Sequence, residues 1–213
     1  MPVYIGMVSQ KGGVTKSTLA RLIAREYAVG GWAVKIADLD VSQGTSYDWQ
    51  ARRLEAGITP EIPVERFSSV DAALKATGQY NLVVFDGAPH STAGTKRIAQ
   101  VSDVVILPTG PSLDDLKPTV LLAHSLVKEG VDRSKLYFAL CRVGDSEAEI
   151  TEARDYLTQA GYQVLEAAIP EKTAYRRASD AGRALTETPF ASLNEKANAL
   201  AQGIVDAITR HTK

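Results

Sequence analysis

Residues 8–18 read VSQKGGVTKST, a run whose lysines, glycines and hydroxyls have the spacing of a phosphate cradle. The general form is Gly-x-x-x-x-Gly-Lys-Ser/Thr, in which successive backbone N–H groups aim into a concavity at a helix N-terminus. Here Gln10 and Thr15 hold the two outer glycine positions, while Gly12 and Gly13 supply the close backbone approach. In that frame Lys16 reaches the β- and γ-phosphates and Ser17 offers its hydroxyl to Mg²⁺. Thr18 caps the loop or touches the α-phosphate. Lys11 is an extra cation with no evident task inside a loop that already has Lys16. Three carboxylates follow apolar runs further on: Asp38 and Asp40 in ADLDVSQGTS, and Asp86 in VVFDGAPH. Carboxylates converging with a lysine-bearing loop are the means by which Mg²⁺ and a triphosphate are held together.

Strand ends have to carry these groups. Short β-branched runs predict strands at 3–8, 33–38, 81–86, 103–107, 135–141 and 163–166, with a weaker one near 62–66. Helical patterns lie between them, at 16–29, 45–56, 69–77, 112–129, 146–160 and 192–210. Runs such as NLVVFD and DVVILP are apolar on consecutive positions, as a parallel sheet covered on both faces requires. The alternation predicts an α/β fold, doubly wound, with a mostly parallel sheet flanked by helices. In such a sheet ligands bind beyond the carboxyl ends of the strands, where the loop and the three aspartates fall.

Composition narrows the setting. The 213 residues suit one domain over 1–213, with 45% hydrophobic and 23% charged residues and a net charge of -1. That charge gives no global pull toward nucleic acid or an anionic membrane, so such a partner needs a local patch. The single cysteine excludes an internal disulfide and fits a reducing, cytoplasmic setting. No uncharged apolar stretch approaches the roughly 18 residues of a membrane span, and no basic leader precedes a cleavage site.

KGGVTKST resembles the deviant Walker A motif, KGGxGK[ST][ST], of the ParA/MinD family of ATPases, which are P-loop NTPases. DLDVSQGTSYDWQARR is similar to that family's D-x-D-P-Q-G-S segment, YNLVVFDGAPH to its Walker B segment, and ILPTGPSLDDL to its I-P-x-x-P-S-x-x-D-L segment. AYRRASDAGRALTE resembles a late segment of the small ParA proteins. The resemblance implies ATP and Mg²⁺ as ligands and a homodimer that sandwiches two ATP molecules. It implies that Lys11 reaches the partner's phosphates, that Asp40 orients the attacking water, that Asp38 lies near Mg²⁺, and that Asp86 is the Walker B aspartate. The implied metal set is Ser17, Asp38, Asp40 and Asp86, with Lys11, Lys16 and Asp40 catalytic. Residues 11–18, Val14 included, would cradle the nucleotide, with Arg142, Ile169 and Pro170 toward the base. Two departures stand out: Thr15 where the family has Gly, and Cys141 where it often has an adenine-reading Asn. Val41-Ser42-Gln43 stands where the family has Pro-Gln, by one extra residue or a shifted register, which leaves the role of Gln43 open.

An ATP-driven dimer needs a load. Small ParA proteins coat double-stranded DNA without sequence preference and are released by a ParB-like, centromere-binding partner. The resemblance implies plasmid or chromosome partition and nucleoid association in the ATP state. EKTAYRRASDAGR is the candidate surface: as a helix it sets Lys172, Arg176 and Arg183 within roughly 40° of one another, with Arg177 beside them. Alternatives are a protein cargo, or a MinD-like membrane-associated ATPase working through the last helix. That helix's stripe, Leu193, Ala197, Leu200, Ile204 and Ile208, lacks large aromatics and a basic opposite face, so it is expected to pack on the sheet rather than on a membrane.

Overall fold

A computed structural model describes residues 2–13, 15–89 and 92–212. In chain order the elements are β1 (Val3–Met7), α1 (Lys16–Val29), β2 (Val34–Asp38), α2 (Thr45–Glu55), β3 (Val64–Arg66), α3 (Val70–Lys75), β4 (Leu82–Asp86) and α4 (Thr92–Val101). They continue with β5 (Val104–Thr109), α5 (Leu113–Lys128), β6 (Leu136–Val143), α6 (Glu147–Gln159), β7 (Gln163–Val164), β8 (Ile169–Pro170), α7 (Thr173–Asp180) and α8 (Ala191–His211). The strands form one sheet in the order β3-β2-β4-β1-β5-β6-β7, with β8 beside β6. Every pairing is parallel.

Successive strand side chains point to opposite faces, and both faces are buried. Ile5, Met7, Leu82, Val84, Val104 and Ile106 enter a core closed by α1 and α8. Val83, Phe85, Val105 and Leu107 enter a second core closed by α4, α5 and α6. This is why the strand sequences are apolar at consecutive positions. The stripe of α8 is spent on the first core through Leu200, Ile204 and Ile208, as expected. No described helix is long and apolar enough to cross a membrane.

Two elements escape a reading by periodicity. Helix α4 opens on Thr, Ala, Gly and Thr, a composition that reads as loop, and is fixed by burying Thr95, Ile98 and Ala99 one turn apart. Strand β8 has two residues, too few for alternation to show.

The register brings the carboxylates together. Met7 and Asp38 are both Cα partners of Asp86, from the strands on either side of β4. Asp38 and Asp86 thus stand adjacent at the carboxyl edge, next to the loop that leaves β1. Two helix starts are closed by side chains: Ser69 accepts from Ala72 N on α3, and Ser146 from Glu149 N on α6, each with an acid in the first turn. Helix α1 differs. Its N-cap Thr15 makes no capping bond, and its first turn holds no acid.

Candidate nucleotide-binding site

An uncapped helix start leaves amide donors and a positive dipole end for an anion. At this one, Gly12, Gly13, Thr15, Lys16 and Ser17 line a cavity of about 250 Å³ together with Asp40 and Gln43 from the β2–α2 loop and Thr45 from the start of α2. A second cavity of about 420 Å³ shares Gly13, Thr15 and Thr18 with the first, and its far walls are Arg142, Ile169, Pro170, Tyr175 and Leu185. The polar cavity is sized for phosphates, and the apolar one beside it for a nucleoside. Every nucleotide residue expected from the sequence borders one of these cavities, apart from Lys11 and Val14. Val14 lies outside the described residues.

Lys16 is buried, and its Nζ donates to the Lys11 carbonyl at 3.1 Å. Burial lowers its pKa, while Asp86 and Asp40 pull it back up. Ser17 Oγ lies 3.1 Å from Thr45 Oγ1. Asp86 is 1% exposed, and burial raises its pKa against the opposing pull of the Ser46 and Ser17 hydroxyls. Its Oδ2 accepts from Ser46 Oγ at 2.7 Å, whereas Oδ1 is buried without a partner among the described residues. An orphaned carboxylate oxygen beside a serine hydroxyl fits a hard cation with oxygen ligands such as Mg²⁺. No group of three or more His, Cys, Asp or Glu that could hold a metal occurs among the described residues.

Asp40 Oδ1 accepts from Ser42 Oγ at 2.7 Å and Gln43 N at 3.1 Å, so the shifted Val41-Ser42-Gln43 register serves to hold this carboxylate at the cavity wall. Asp38, adjacent to Asp86 at the sheet edge, is held by the turn into α2. It lines neither cavity, and its two oxygens accept from Asp40 N at 3.0 Å and Tyr47 N at 3.2 Å, stapling the loop to α2. Burial, reinforced by Asp86, pushes its carboxyl up to about 6.

Lys11 does have an intramolecular task, contrary to expectation. Its Nζ donates to Asp115 Oδ1 at 2.7 Å and to the Asp114 carbonyl at 2.5 Å. The two sequence departures meet each other: the Cys141 thiol, pushed up to about 12 by burial, has the Thr15 side chain against it. Thr15 sits at φ 66°, a strained region for a β-branched residue. Arg142 bridges the loop and the far wall of the larger cavity, donating to Glu171 Oε2 at 2.8 Å and to the Gly13 carbonyl at 3.3 Å.

The predicted cationic stripe does not form as one helical face. Helix α7 spans Thr173–Asp180, with Lys172 before it and Arg183 beyond Gly182. Gly182 adopts φ 71°, and a Cβ there would meet the Arg53 backbone at 2.5 Å, so the chain must turn away. Lys172 is paired with Asp145 and Arg176 with Glu171, and both border the nucleoside cavity. Arg177 and Arg183 are exposed, without an ion pair to a described residue.

Residues that sequence reasoning passed over are Arg21, Thr45, Ser46, Tyr175 and Asp115. A signal existed for two of them: Arg21 is one turn beyond Ser17, and Thr45 follows the DVSQG run directly.

Residues 5–185 match the CobQ/CobB/MinD/ParA nucleotide binding domain. The chain is 28% identical over 189 residues to "Maintenance of carboxysome distribution protein A" of Gloeobacter kilaueensis, covering 87% of this chain and 85% of that protein. It is 25% identical over 182 residues to "Protein ParA" of Rhizobium radiobacter, covering 82% and 81%. Its fold is similar to that of the septum site-determining protein MinD of Pyrococcus horikoshii, solved with Mg-ADP, at a TM-score of 0.74 and 19% identity over all of both chains. With a match this long on a sheet that sets loop and carboxylates at one edge, the chain belongs to the CobQ/CobB/MinD/ParA nucleotide-binding family, in its ParA/MinD branch.

Proposed function

We propose that this protein is a slow, partner-stimulated ATPase that dimerises on ATP and partitions or positions a cargo, with plasmid or chromosome DNA as the first reading. The observation that carries it is the presence of two lysines with separate duties in one loop. Lys16 is buried at the phosphate cavity, while Lys11 stands half-exposed at its side on Asp115. One copy's own cavity already has its cation, which leaves Lys11 for the phosphates of a second copy.

In this reading Lys16 and the loop amides hold the β- and γ-phosphates, and Ser17 and Asp86 hold Mg²⁺. Mg²⁺ held there would supply positive charge against the phosphates. Asp40, fixed by Ser42 and Gln43, orients water for attack. Lys11 of the second copy offsets developing charge, as an arginine finger does. Ile169, Pro170 and Tyr175 take the nucleoside against an apolar wall.

The DNA reading now rests on Arg177 and Arg183. Two copies present four such cations on one assembly, which lets a chain of net charge -1 bind phosphates only when ATP joins it. Double-stranded DNA of arbitrary sequence and a small ParB-like protein are the proposed partners, and the cytoplasm, on the nucleoid, the proposed location. The likeness to a carboxysome distribution protein favours a second reading, in which the dimer positions a protein assembly.

ATP turnover with and without DNA, and DNA retention in ATP and in ADP, test the proposal. Reversing charge at Arg177 and Arg183 together should abolish DNA retention and leave ATP-driven dimerisation intact. Unchanged retention would remove that surface from the account.

A further inference from the structure

Arg21 lies one turn beyond Ser17 on α1, and the roles above leave it without a task. A guanidinium has five donors and no acceptor, and burying it is costly unless those donors are used. Arg21 is 6% exposed and lines the phosphate cavity beside Ser17. Its Nε donates to Ser46 Oγ at 3.2 Å, and a terminal nitrogen donates to Ser179 Oγ of α7 at 3.0 Å. The guanidinium carbon sits 5.5 Å from the centroid of the Trp49 ring. Ser46 in turn donates to Asp86 Oδ2 at 2.7 Å.

The direction of this chain is fixed by chemistry. Arginine can only donate, so Ser46 accepts from it and has a single proton left, which goes to Asp86. One carboxylate oxygen is thereby taken from behind, and the other is the buried atom without a partner. Trp49 and Ser179 hold the guanidinium from two further elements, so its orientation is set before any ligand arrives.

We infer that Arg21 is a positioning residue for the Mg²⁺ site: through Ser46 it turns Asp86 so that Oδ1 is the oxygen left for the hydrated cation. This rests on the nucleotide reading of the cavity and adds to it a residue outside the loop. Outer partners of metal-binding carboxylates have effects of their own, worth roughly ten- to a hundredfold in metal affinity. A guanidinium that merely ties α1, α2 and α7 together would change stability and leave the dependence on Mg²⁺ alone.

The protein carries its own reporter. It has two tryptophans, and Trp32, edge-on to Tyr27 just past the far end of α1, can be replaced by Phe. Trp49 is then the single indole, in contact with Arg21. In that background, the full chain is titrated with Mg²⁺ at fixed ADP, reading Trp49 emission. The ratio of ADP affinities with and without Mg²⁺ is measured by calorimetry. Ser46→Ala and Arg21→Met should each lower that ratio and shift the Mg²⁺ midpoint upward by roughly tenfold or more. Arg21→Lys should fall between, since an ammonium keeps charge but lacks the planar fork. Ser46→Ala leaves the guanidinium in place and so guards against a folding defect in Arg21→Met. Parental Mg²⁺ dependence in Ser46→Ala would overturn the role of Arg21, because its path to Asp86 runs through that hydroxyl. A parent that binds no ADP would overturn the nucleotide reading itself, and the role of Arg21 with it.

Discussion

Replacing Asp115 by Ala should tighten ATP-driven dimerisation, because Lys11 must leave Asp115 to reach a second copy. Lys11 Nζ is held at 2.7 Å by Asp115 Oδ1 and at 2.5 Å by the Asp114 carbonyl. That carbonyl is free because Pro118, four residues on and inside α5, has no N–H to give it. The Lys11 bond holds the Asp115 carboxyl below its ordinary range. The two side chains remain 40% and 30% exposed, which places the pair among surface ion pairs. Such pairs contribute about 0.2–1 kcal/mol. At about 0.2–1 kcal/mol per copy, and two copies per dimer, the variant gains about 0.4–2 kcal/mol, or roughly two- to thirtyfold in the dimerisation constant. Sedimentation velocity over a range of protein concentrations with ATP and Mg²⁺ reads this directly, in an Asp40→Ala background that suppresses hydrolysis. High salt should narrow the gap between parent and variant, since screening weakens an exposed pair. Equal or weaker association of the variant would refute the reasoning, and would place Asp115 among the groups that hold the dimer together.

Asp40→Ala should slow ATP hydrolysis on the order of 10² to 10⁴-fold while the ATP dimer persists; a parental rate in a phosphate-release assay would move the water-orienting role elsewhere. Thr15→Gly removes a β-branched residue from φ 66°, and should stabilise the nucleotide-free protein by about 1 kcal/mol, a rise of roughly 2–4 °C on thermal melting. A lower melting point would mean that the contact with Cys141 outweighs the strain. Arg53→Met should destabilise by about 3–5 kcal/mol in urea unfolding. Arg53 is fully buried, donates to both Glu187 oxygens at 2.7 and 3.0 Å, and also donates to the Gly182 carbonyl at 3.1 Å. A loss under 1 kcal/mol would show that Glu187 is satisfied by Arg25 and Ala184 N alone.

The phosphate cavity was legible because its parts are local. Gly12 to Thr18 are consecutive, and Asp40 and Asp86 each follow an apolar run whose parallel pairing dictates where it ends. What stayed hidden depends on elements meeting across long separations. Nothing in KGGVTKST shows that Lys11 will find Asp115, over a hundred residues away. Nothing in ADLDVSQG shows that each Asp38 oxygen will accept a backbone N–H from the turn into α2. The cationic stripe failed for a local reason that angles around a helix ignore: Gly182 ends α7 by passing against the backbone of α2. Arg21 and Arg53 were invisible as core residues, since arginine is buried only where partners are already arranged around it.

The central claim is that ATP, and not ADP, joins two copies through Lys11. Light scattering of the Asp40→Ala protein in Mg²⁺ with ATP and then with ADP measures it directly. The account predicts twice the protomer mass in ATP, one protomer mass in ADP, and one protomer mass in both when Lys11 is also replaced by Ala. A single mass in both nucleotides with Lys11 in place, or an ATP dimer that survives its removal, would contradict it.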